Sequence, residues 1–296
     1  MPTAGGSATL VCTPASEPHK RGASMSDVFK YEGTVTVIGG GRMGEAIVRG
    51  LIDAGAIAVA NVAIAEPDAA RRDELAATYG VRCVAAGAEA LPADIALLAV
   101  KPQVADSVIA GLAGSFAGSL VVSIIAGYSS AKLESLMPAG TAVVRVMPNT
   151  PMMVGEGMAV VSGGSEATSA QVDLVRELFA RVGRAIVIAE RYQNAATAIS
   201  GSGPAYFALV VDSLARAGVR QGLPRDIAQA LAVQTMLGTA RMIDETGVHP
   251  EVLIDGVSSP GGTTIAAIEA LEAHGLRAAF AEAVAANVAR SQELGS

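Results

Sequence analysis

Tryptophan is absent from the 296-residue sequence, and the aromatic residues together make up only 3% of it. Cysteine and histidine are also scarce: the chain has two cysteines and three histidines, which are Cys12, Cys83, His19, His249 and His274. Two distant cysteines predict no disulfide framework, and residues this few and scattered predict no metal site. No apolar run approaches the ~18 residues that a membrane span needs. These absences favour a cytoplasmic protein with no metal and no membrane partner.

Acidic residues outnumber basic ones, which gives a formal net charge of -7 at pH 7. General nucleic-acid binding needs a basic surface, so we predict no nucleic-acid partner. Hydrophobic residues make up 51% of the chain, and 33 residues are glycine. This composition is typical of closely packed helices and strands. At roughly 150 residues per domain, the length predicts two domains with sizeable cores.

A glycine-rich turn stands between a predicted strand at residues 34–38 and a predicted helix that begins at Glu45. The spacing Gly39-x-Gly41-x-x-Gly44 is typical of a dinucleotide-binding loop, with one glycine for the tight turn, one for close approach of a pyrophosphate and one for helix-on-strand packing. The helix N-terminus adds free N–H groups and a partial positive charge. An ordinary strand-to-helix turn is the alternative interpretation. A second strand that ends at Glu66 favours the dinucleotide site.

Apolar, β-branched segments recur along the first two thirds of the chain and predict strands at residues 34–38, 61–65, 82–84, 95–100, 120–125, 141–146, 158–161 and 185–189. Helices alternate with them, for example at residues 69–79, where Gly80 ends the helix. This alternation predicts an α/β fold with a doubly wound, mainly parallel Rossmann-type sheet. Because ligands of such sheets bind at the carboxyl ends of the strands, the loops at residues 101–102, 124–127 and 147–151 are candidate site loops.

The pattern changes near residue 190, after which we predict only helices, at residues 203–217, 224–243, 264–273 and 276–291. We therefore divide the chain into residues 1–30, a disordered extension with Met25 as the true start, residues 31–190, a dinucleotide-binding domain, and residues 191–296, an all-helical domain. The helix at residues 224–243 carries its charged Arg225, Asp226 and Arg241 near its ends. Its apolar circumference predicts burial against a second copy, although half-exposed alanine faces are the alternative.

Two glycine- and serine-rich loops lie in the helical region. For Ser200-Gly201-Ser202-Gly203-Pro204, both a capping turn and a ligand contact remain open. Ser258-Ser259-Pro260-Gly261-Gly262-Thr263-Thr264 brings N–H groups, hydroxyls and a helix N-terminus together, which suits a small carboxylate. An ordinary N-cap explains this second loop equally well.

Five motifs follow one another in the chain: Ile38-Gly39-Gly40-Gly41-Arg42-Met43-Gly44, Ala99-Val100-Lys101-Pro102-Gln103, Arg145-Val146-Met147-Pro148-Asn149-Thr150-Pro151, Ser200-Gly201-Ser202-Gly203-Pro204-Ala205-Tyr206-Phe207 and Ser259-Pro260-Gly261-Gly262-Thr263-Thr264. Through them the chain resembles the pyrroline-5-carboxylate reductase family over residues 33–293. The resemblance implies reduction of L-1-pyrroline-5-carboxylate to L-proline with NADPH or NADH, the last step of proline biosynthesis. It also implies a homodimer or a larger ring of dimers, in which residues 191–296 form the dimerisation and substrate-binding domain.

The resemblance assigns candidate site residues. The loop at residues 259–264 would hold the substrate carboxylate through Ser259, Gly261, Gly262 and Thr263, and the Thr264 hydroxyl would contact the ring nitrogen. Lys101 is a second catalytic candidate through its charge, although a solvated loop lysine explains it equally well. The predicted cofactor contacts are Ile38, Gly39, Gly40, Gly41, Arg42, Met43, Gly44, Glu66, Ala99, Val100, Lys101, Pro102, Ile124, Ile125, Ala126 and Asn149.

The chemistry of imine reduction fits a site without a His, Cys or carboxylate cluster. Hydride must reach the C=N carbon while nitrogen keeps a proton, so positioning and electrostatics can supply most of the catalysis. One alternative is a related imine or β-hydroxyacid reductase. A hydroxyacid enzyme would need an Asp or Lys on the first helix of the second domain, where only Asp212 is available. The other alternative is a non-catalytic dinucleotide sensor, which would not need a carboxylate-binding loop.

Glu66 bears on the choice between NADH and NADPH. A carboxylate at the end of the second strand accepts hydrogen bonds from the ribose 2′-hydroxyl and repels a 2′-phosphate. Arg71 and Arg72 would neutralise that phosphate if they folded back toward the loop, but a solvated helix face is the favoured interpretation. We therefore expect NADH to be used at least comparably to NADPH.

Overall fold

The computed structural model describes residues 29–295. The predicted extension, including Met25, Cys12 and His19, lies outside the described residues except for Phe29 and Lys30. Eight strands form one sheet: β1 (Val35–Ile38), β2 (Val62–Ala65), β3 (Arg82–Val84), β4 (Ile95–Leu98), β5 (Leu120–Ser123), β6 (Val143–Met147), β7 (Gly157–Gly163) and β8 (Gly183–Val187).

The strand order is β3-β2-β1-β4-β5-β6-β7-β8, and every neighbouring pair is parallel except β6 with β7. The chain therefore leaves β3 at one edge and crosses to the far side of β1, where β4 begins the second half of the sheet. Such a reversal of strand order opens a crevice at the carboxyl ends of β1 and β4, where dinucleotides bind in folds of this type. The prediction of a doubly wound, mainly parallel sheet is confirmed.

Helices cover both faces of the sheet: α1 (Arg42–Asp53), α2 (Ala69–Tyr79), α3 (Pro102–Leu112), α4 (Ser130–Ser135) and α5 (Ser169–Ala180). One core contains Ile47 of α1, Leu75 of α2 and Val175 of α5 against one face. The other core contains Ile109 of α3 and Leu133 of α4 against the opposite face. Burial on both faces explains why the central strands have near-continuous apolar sequences.

The ends of β4 and β5 differ from their prediction, because both strands stop about two residues earlier than their apolar runs. The Ala99 N–H still donates to the Ile38 carbonyl at 2.9 Å, and the Ile124 N–H donates to the Leu98 carbonyl at 3.0 Å. Beyond these bonds the chain turns away from the sheet, so residues 99–102 and 124–126 form loops. Apolarity alone could not show this, because the loop residues remain apolar as they cross the sheet edge.

The rest of the chain is helical: α6 (Gln193–Ala196), a π-helical turn (Thr197–Gly201), α7 (Gly203–Arg220), α8 (Arg225–Thr246), α9 (Pro250–Val257), α10 (Thr263–Ala273) and α11 (Leu276–Gly295). Three features were not predicted: the short helices α6 and α9, and the π-helical turn before α7, where a capping turn and a ligand contact had been left open. The two helices are too short to show a clear helical period. No strand follows β8 within the described residues, as predicted.

A buried ion pair joins the end of the sheet region to the helices. Arg145 of β6 lies beside Glu190 at 3.4 Å, and its side chain is only 5% exposed. Burial lowers the pKa of Arg145, and the negative charge of Glu190 opposes that shift. Glu190 also accepts a hydrogen bond from the Ser130 N–H at 2.7 Å. This segment is therefore held firmly to the sheet before the helices begin.

Large apolar side chains are exposed along the helices of the single chain. They include Phe207, Leu209, Leu214, Ile227, Leu231, Val233, Leu237, Met242, Val252, Val257, Leu271 and Phe280. By contrast, Ala228 and Ala232 of α8 are buried, and α8 packs on α7. An exposed apolar surface of this extent is typical of a protein–protein interface.

Candidate active site

Gly39 and Gly44 are glycines for reasons that lie within the chain. Gly39 has a φ of +110°, and a Cβ there would lie 2.8 Å from the Ala99 carbonyl oxygen. A Cβ on Gly44 would collide with the Gly39 carbonyl oxygen. These two residues therefore allow the tight turn and the close packing of α1 on β1 and β4.

Gly41 is different, because nothing in the described chain requires a glycine there. Its φ is -70° and its ψ is 178°, values that any residue adopts. A Cβ on Gly41 would meet no atom within 4 Å. Gly41 is also the N-cap of α1 and provides no side-chain hydrogen bond. The first-turn N–H groups of α1 therefore border open space on the side where a pyrophosphate would lie, and the residues present fit a dinucleotide.

Hydrogen bonds hold both the backbone N–H and the backbone carbonyl of Gly40. Glu66, the residue after β2, accepts a hydrogen bond from the Gly40 N–H at 2.9 Å through Oε2. Its other oxygen, Oε1, accepts a hydrogen bond from the Asp68 N–H at 3.1 Å. On the opposite side, Arg71 donates from Nε to the Gly40 carbonyl at 3.0 Å. The glycine loop is therefore held in shape without a ligand.

Arg71 does not lie on a solvated helix face, so the favoured interpretation was wrong for this residue. Its guanidinium pairs with Glu45 of α1 and, at 2.6 Å, with Glu74 of α2. The hydrogen bonds that Arg71 donates to Glu74 and Glu45 raise the pKa of Arg71. Partial burial raises the pKa of Glu45, but hydrogen bonds from Arg71 and Tyr79 outweigh burial and hold it below its ordinary value. The positive charge that faces the loop is thus already balanced by carboxylates.

Arg72 also turns back, toward the backbone. It donates from Nη1 to the carbonyls of Glu66 and Pro67, each at 2.8 Å. Arg42, at the first position of α1, is exposed beside the glycine loop. The sequence did not predict the orientations of Arg71 and Arg72, because the local pattern around them does not show which backbone carbonyls they contact.

The loops after β4 and β5 lie at the same edge of the sheet as the glycine loop. Ala99 contacts Gly39 as described above, and Pro102 begins α3. Lys101 is the exposed N-cap residue of α3 and makes no side-chain capping bond there. Residues 124–126 follow β5, whose pairing with β4 places them beside residues 99–102.

Tyr128 links these two loops and was missed by the sequence analysis. It is 4% exposed. Its hydroxyl donates to Asp106 at 2.9 Å and also lies 3.3 Å from the Pro102 carbonyl oxygen. Burial raises the pKa of Tyr128, and the hydrogen bond to Asp106 raises it further. A tyrosine directly after a predicted site loop was the available signal.

Asn149 lies just after β6, and its side chain is bonded within the chain. Its Oδ1 accepts from the Met158 N–H at 2.8 Å, and its Nδ2 donates to the Ser200 carbonyl at 3.0 Å. The residue is 8% exposed. Its predicted contact with a cofactor stays a prediction.

The loop at residues 258–264 leads into α10. Gly262 donates its N–H to the Ser259 carbonyl at 2.9 Å, and Gly261 has a φ of +66°. Ser259, Pro260, Gly261 and Thr263 are exposed, and Thr264 is half-buried in the first turn of the helix. Gly262 is the N-cap and lacks a side-chain capping bond, so neither threonine acts as the ordinary N-cap. In residues 29–295, no hydrogen bond or ion pair joins this loop to the glycine loop.

Asp212 of α7, the group that a hydroxyacid enzyme would need, is engaged on the helix surface. It accepts from Arg216 at 2.6 Å and from Arg225 at 2.9 Å. The hydrogen bond from Arg216 is the main cause of the lowered pKa of Asp212. A carboxylate held in this state is a poor proton donor, which disfavours the hydroxyacid alternative.

Within the part of the chain that the structure describes, no group of three or more His, Cys, Asp and Glu side chains is arranged to hold a metal ion. None of the helices between residues 29 and 295 combines the length and the apolarity needed to cross a bilayer.

Comparisons with known proteins identify the family. Residues 190–294 match the family described as pyrroline-5-carboxylate reductase dimerisation. Residues 34–127 match the family described as NADP oxidoreductase, coenzyme F420-dependent. The pyrroline-5-carboxylate reductase of Synechocystis is 47% identical over 260 residues, which cover 88% of this chain and 97% of that protein. The chain belongs to the pyrroline-5-carboxylate reductase family.

Solved structures of pyrroline-5-carboxylate reductases agree with this assignment. The Coxiella burnetii enzyme superposes with a TM-score of 0.84 at 34% identity, covering 90% of this chain and all of that one. The Plasmodium falciparum enzyme, solved with NADP bound, gives a TM-score of 0.83 at 31% identity with coverage of 90% and 100%. The resemblance seen in the five sequence motifs is confirmed, as is the prediction of a nicotinamide-dependent oxidoreductase that self-associates.

Proposed function

We propose that this chain reduces L-1-pyrroline-5-carboxylate to L-proline with a reduced nicotinamide cofactor, as the last step of proline biosynthesis in the cytoplasm. The observation that carries the proposal is the glycine loop of this family member, whose Gly41 has no role within the chain but borders open space at a helix N-terminus. The direct test is whether the purified protein oxidises the cofactor only when the cyclic imine is present, and forms L-proline.

A nicotinamide cofactor would bind along the carboxyl edge of the sheet. Residues 38–44 would hold the pyrophosphate, with the exposed Arg42 beside it, and Glu66 would hold the adenosine ribose. Ala99, Val100, Lys101 and Pro102 would line the nicotinamide side, together with Ile124, Ile125 and Ala126. The bound nicotinamide supplies the hydride. The protein contributes position, because Tyr128 and the strand registers fix these loops relative to one another.

The substrate carboxylate is held by the loop at residues 259–263, where the exposed N–H groups and hydroxyls precede α10. The Thr264 hydroxyl contacts the ring nitrogen, which carries its own proton, so no strong general acid is needed. One hydride and one proton convert the C=N bond to an amine, and Lys101 adds positive charge near the reacting groups.

The assembly is a dimer, extended into a larger ring of dimers, with each active site shared between two chains. The support is physical: the loop at residues 259–264 is mostly exposed in the single chain, and large apolar side chains are exposed along α7 and α8. A two-fold contact would cover those side chains and bring the loop of one chain to the glycine loop of its mate.

NADH is used at least comparably to NADPH. Glu66 directly follows β2, with one oxygen bonded to the Gly40 N–H of the glycine loop and the other to the Asp68 N–H, and a 2′-phosphate there would face its negative charge. Arg71, which could have offset that charge, is paired with Glu45 and Glu74.

A further inference from the structure

The motif Ser200-Gly201-Ser202-Gly203-Pro204 has no role in the function proposed so far, and its geometry is unusual. Residues Thr197–Gly201 form a π-helical turn, in which the Ser202 N–H donates to the Thr197 carbonyl at 3.0 Å. Such turns are rare and occur often at functional sites. The chain then continues directly into α7, with Pro204 in its first turn.

Pro204 leaves the Ser200 carbonyl without its regular helical donor. In an α-helix, the carbonyl of residue 200 accepts from the N–H of residue 204, and proline has no N–H. The next N–H, that of Ala205, donates to the Ser202 carbonyl at 3.0 Å. A partly buried carbonyl that lacks its donor is costly, so the Ser200 oxygen needs a donor from elsewhere.

Asn149 supplies that donor from the sheet. Its Nδ2 lies 3.0 Å from the Ser200 carbonyl oxygen, across 51 residues of sequence. The orientation of the amide is fixed, because the Met158 N–H must meet an oxygen, Oδ1, at 2.8 Å. The bond therefore joins the carboxyl end of β6 to the start of α7.

A second asparagine bonds the residue that follows the turn. Asn287 of α11 donates from Nδ2 to the Ser202 hydroxyl at 2.7 Å. Amides from two distant parts of the chain, one just after β6 and one on the last helix, therefore hold the segment that leads into α7.

We propose that Asn149 is a positioning residue, which places the π-helical turn and the start of α7 against the cofactor edge by replacing the N–H that Pro204 lacks. The inference rests on the proposed function for its effect on turnover, because α7 carries the interface through which the mate chain would deliver its substrate loop. Asn149 then acts through Ser200 without direct contact with the cofactor.

The test is a double-mutant cycle between Asn149→Ala and Pro204→Ala. Asn149→Ala alone should lower kcat/KM for the imine about tenfold or more, with the NADH dissociation constant within roughly twofold of wild type. Pro204→Ala restores an N–H four residues after Ser200. In that background the loss caused by Asn149→Ala should shrink to about threefold or less.

The matched control is Asn61→Ala. Asn61 also donates from its amide to a backbone carbonyl, that of Glu32 at 2.9 Å, but it precedes β2 at the amino end of the sheet. Its removal should leave the kinetic constants unchanged. A weaker NADH affinity in Asn149→Ala that accounts for the whole loss would overturn the proposal in favour of direct contact. An equal loss in both backgrounds would overturn it as well.

A readout independent of turnover separates this proposal from the proposed function. Hydrogen exchange at the amides of residues 201–203, 205 and 206 should speed up about tenfold in Asn149→Ala and return toward wild type in the double variant. If wild-type protein has no reductase activity but the two variants show these exchange rates, the proposed function fails and the positioning role stands. Unchanged exchange in Asn149→Ala, with the fold intact by circular dichroism, contradicts the positioning role whatever the activity.

Discussion

Glu66 accepts a hydrogen bond from the Gly40 N–H at 2.9 Å, so the residue that follows β2 also holds the glycine loop that follows β1. The carboxylate therefore has a structural task within the protein, in addition to the contact with the adenosine ribose that we propose for it. A Glu66→Gln substitution separates the effect of the charge from that of the acceptor oxygen, because glutamine keeps an acceptor oxygen and carries no charge.

Glu66→Gln should change cofactor choice more than it changes stability. Removing the negative charge takes away the repulsion of a 2′-phosphate, and the amide oxygen still accepts from Gly40. We expect the ratio of kcat/KM for NADPH to that for NADH to rise about tenfold, roughly 1.4 kcal/mol. Glu177→Gln is the control, since that carboxylate pairs with Arg176 on α5, away from the glycine loop and from Arg71. Equal ratios in wild type and Glu66→Gln would refute the assignment.

Gly41→Ala and Gly44→Ala should separate binding from folding. A Cβ at Gly41 enters open space, so the free energy of unfolding of Gly41→Ala should stay within about 0.5 kcal/mol of wild type. Its NADH dissociation constant should rise at least about tenfold, because the methyl group would occupy the space proposed for the pyrophosphate. A Cβ at Gly44 collides with Gly39, and should cost about 1–3 kcal/mol of stability. Chemical denaturation and fluorescence titration measure the two quantities. Undiminished NADH affinity in Gly41→Ala would remove the basis of the dinucleotide site.

Thr264→Ala should lower turnover and leave NADH affinity unchanged. Loss of one positioned hydrogen bond corresponds to roughly a ten- to hundredfold decrease in kcat/KM for the imine. Thr264→Ser should recover most of that loss, because it restores the hydroxyl. Ser135→Ala, which removes a hydroxyl bonded to the Lys132 carbonyl on α4, serves as the control. Equal kinetics for Thr264→Ala and wild type would leave this hydroxyl without a role in the reaction.

Mixing two impaired variants tests whether sites are shared between chains. Gly41→Val damages the cofactor loop and Thr264→Ala damages the substrate loop. In a mixed dimer with shared sites, one site carries both defects and the other carries none, so statistical mixing should restore up to about a quarter of wild-type activity. Subunit exchange is verified by mass spectrometry of differently tagged chains. Proven exchange without recovery would mean that each chain builds its own site.

The strands of the sheet could be predicted from the sequence, but the positions at which β4 and β5 end could not. The apolar runs predicted all eight strands, because burial on both faces forces that composition. The same criterion placed the predicted ends of β4 and β5 too late, because residues 99–100 and 124–125 are still apolar although they lie beyond the sheet. The glycine spacing predicted the conformational tasks of Gly39 and Gly44, which depend on nearby backbone atoms.

Polar contacts between residues far apart in the chain could not be predicted from the sequence. Nothing in the local pattern around Arg71 indicates that it reaches back across 31 residues to the Gly40 carbonyl. The helix α9 was missed because its eight residues are too short for a clear period. Pro204 is an exception, because a proline four residues after Ser200 predicts that the Ser200 carbonyl lacks its helical donor. Only the fold shows that Asn149 donates to that carbonyl.

The most direct test of the account is an assay of the purified protein with L-1-pyrroline-5-carboxylate and NADH. The absorbance of reduced cofactor should fall only when the imine is present, and amino-acid analysis should find L-proline in an amount equal to the cofactor oxidised. Gly41→Val and Thr264→Ala, measured beside wild type, show that the turnover belongs to this site. Tight NADH binding without imine-dependent oxidation, across a range of pH and with NADPH as well, would contradict the account and identify a dinucleotide-binding protein that catalyses no reduction of this substrate.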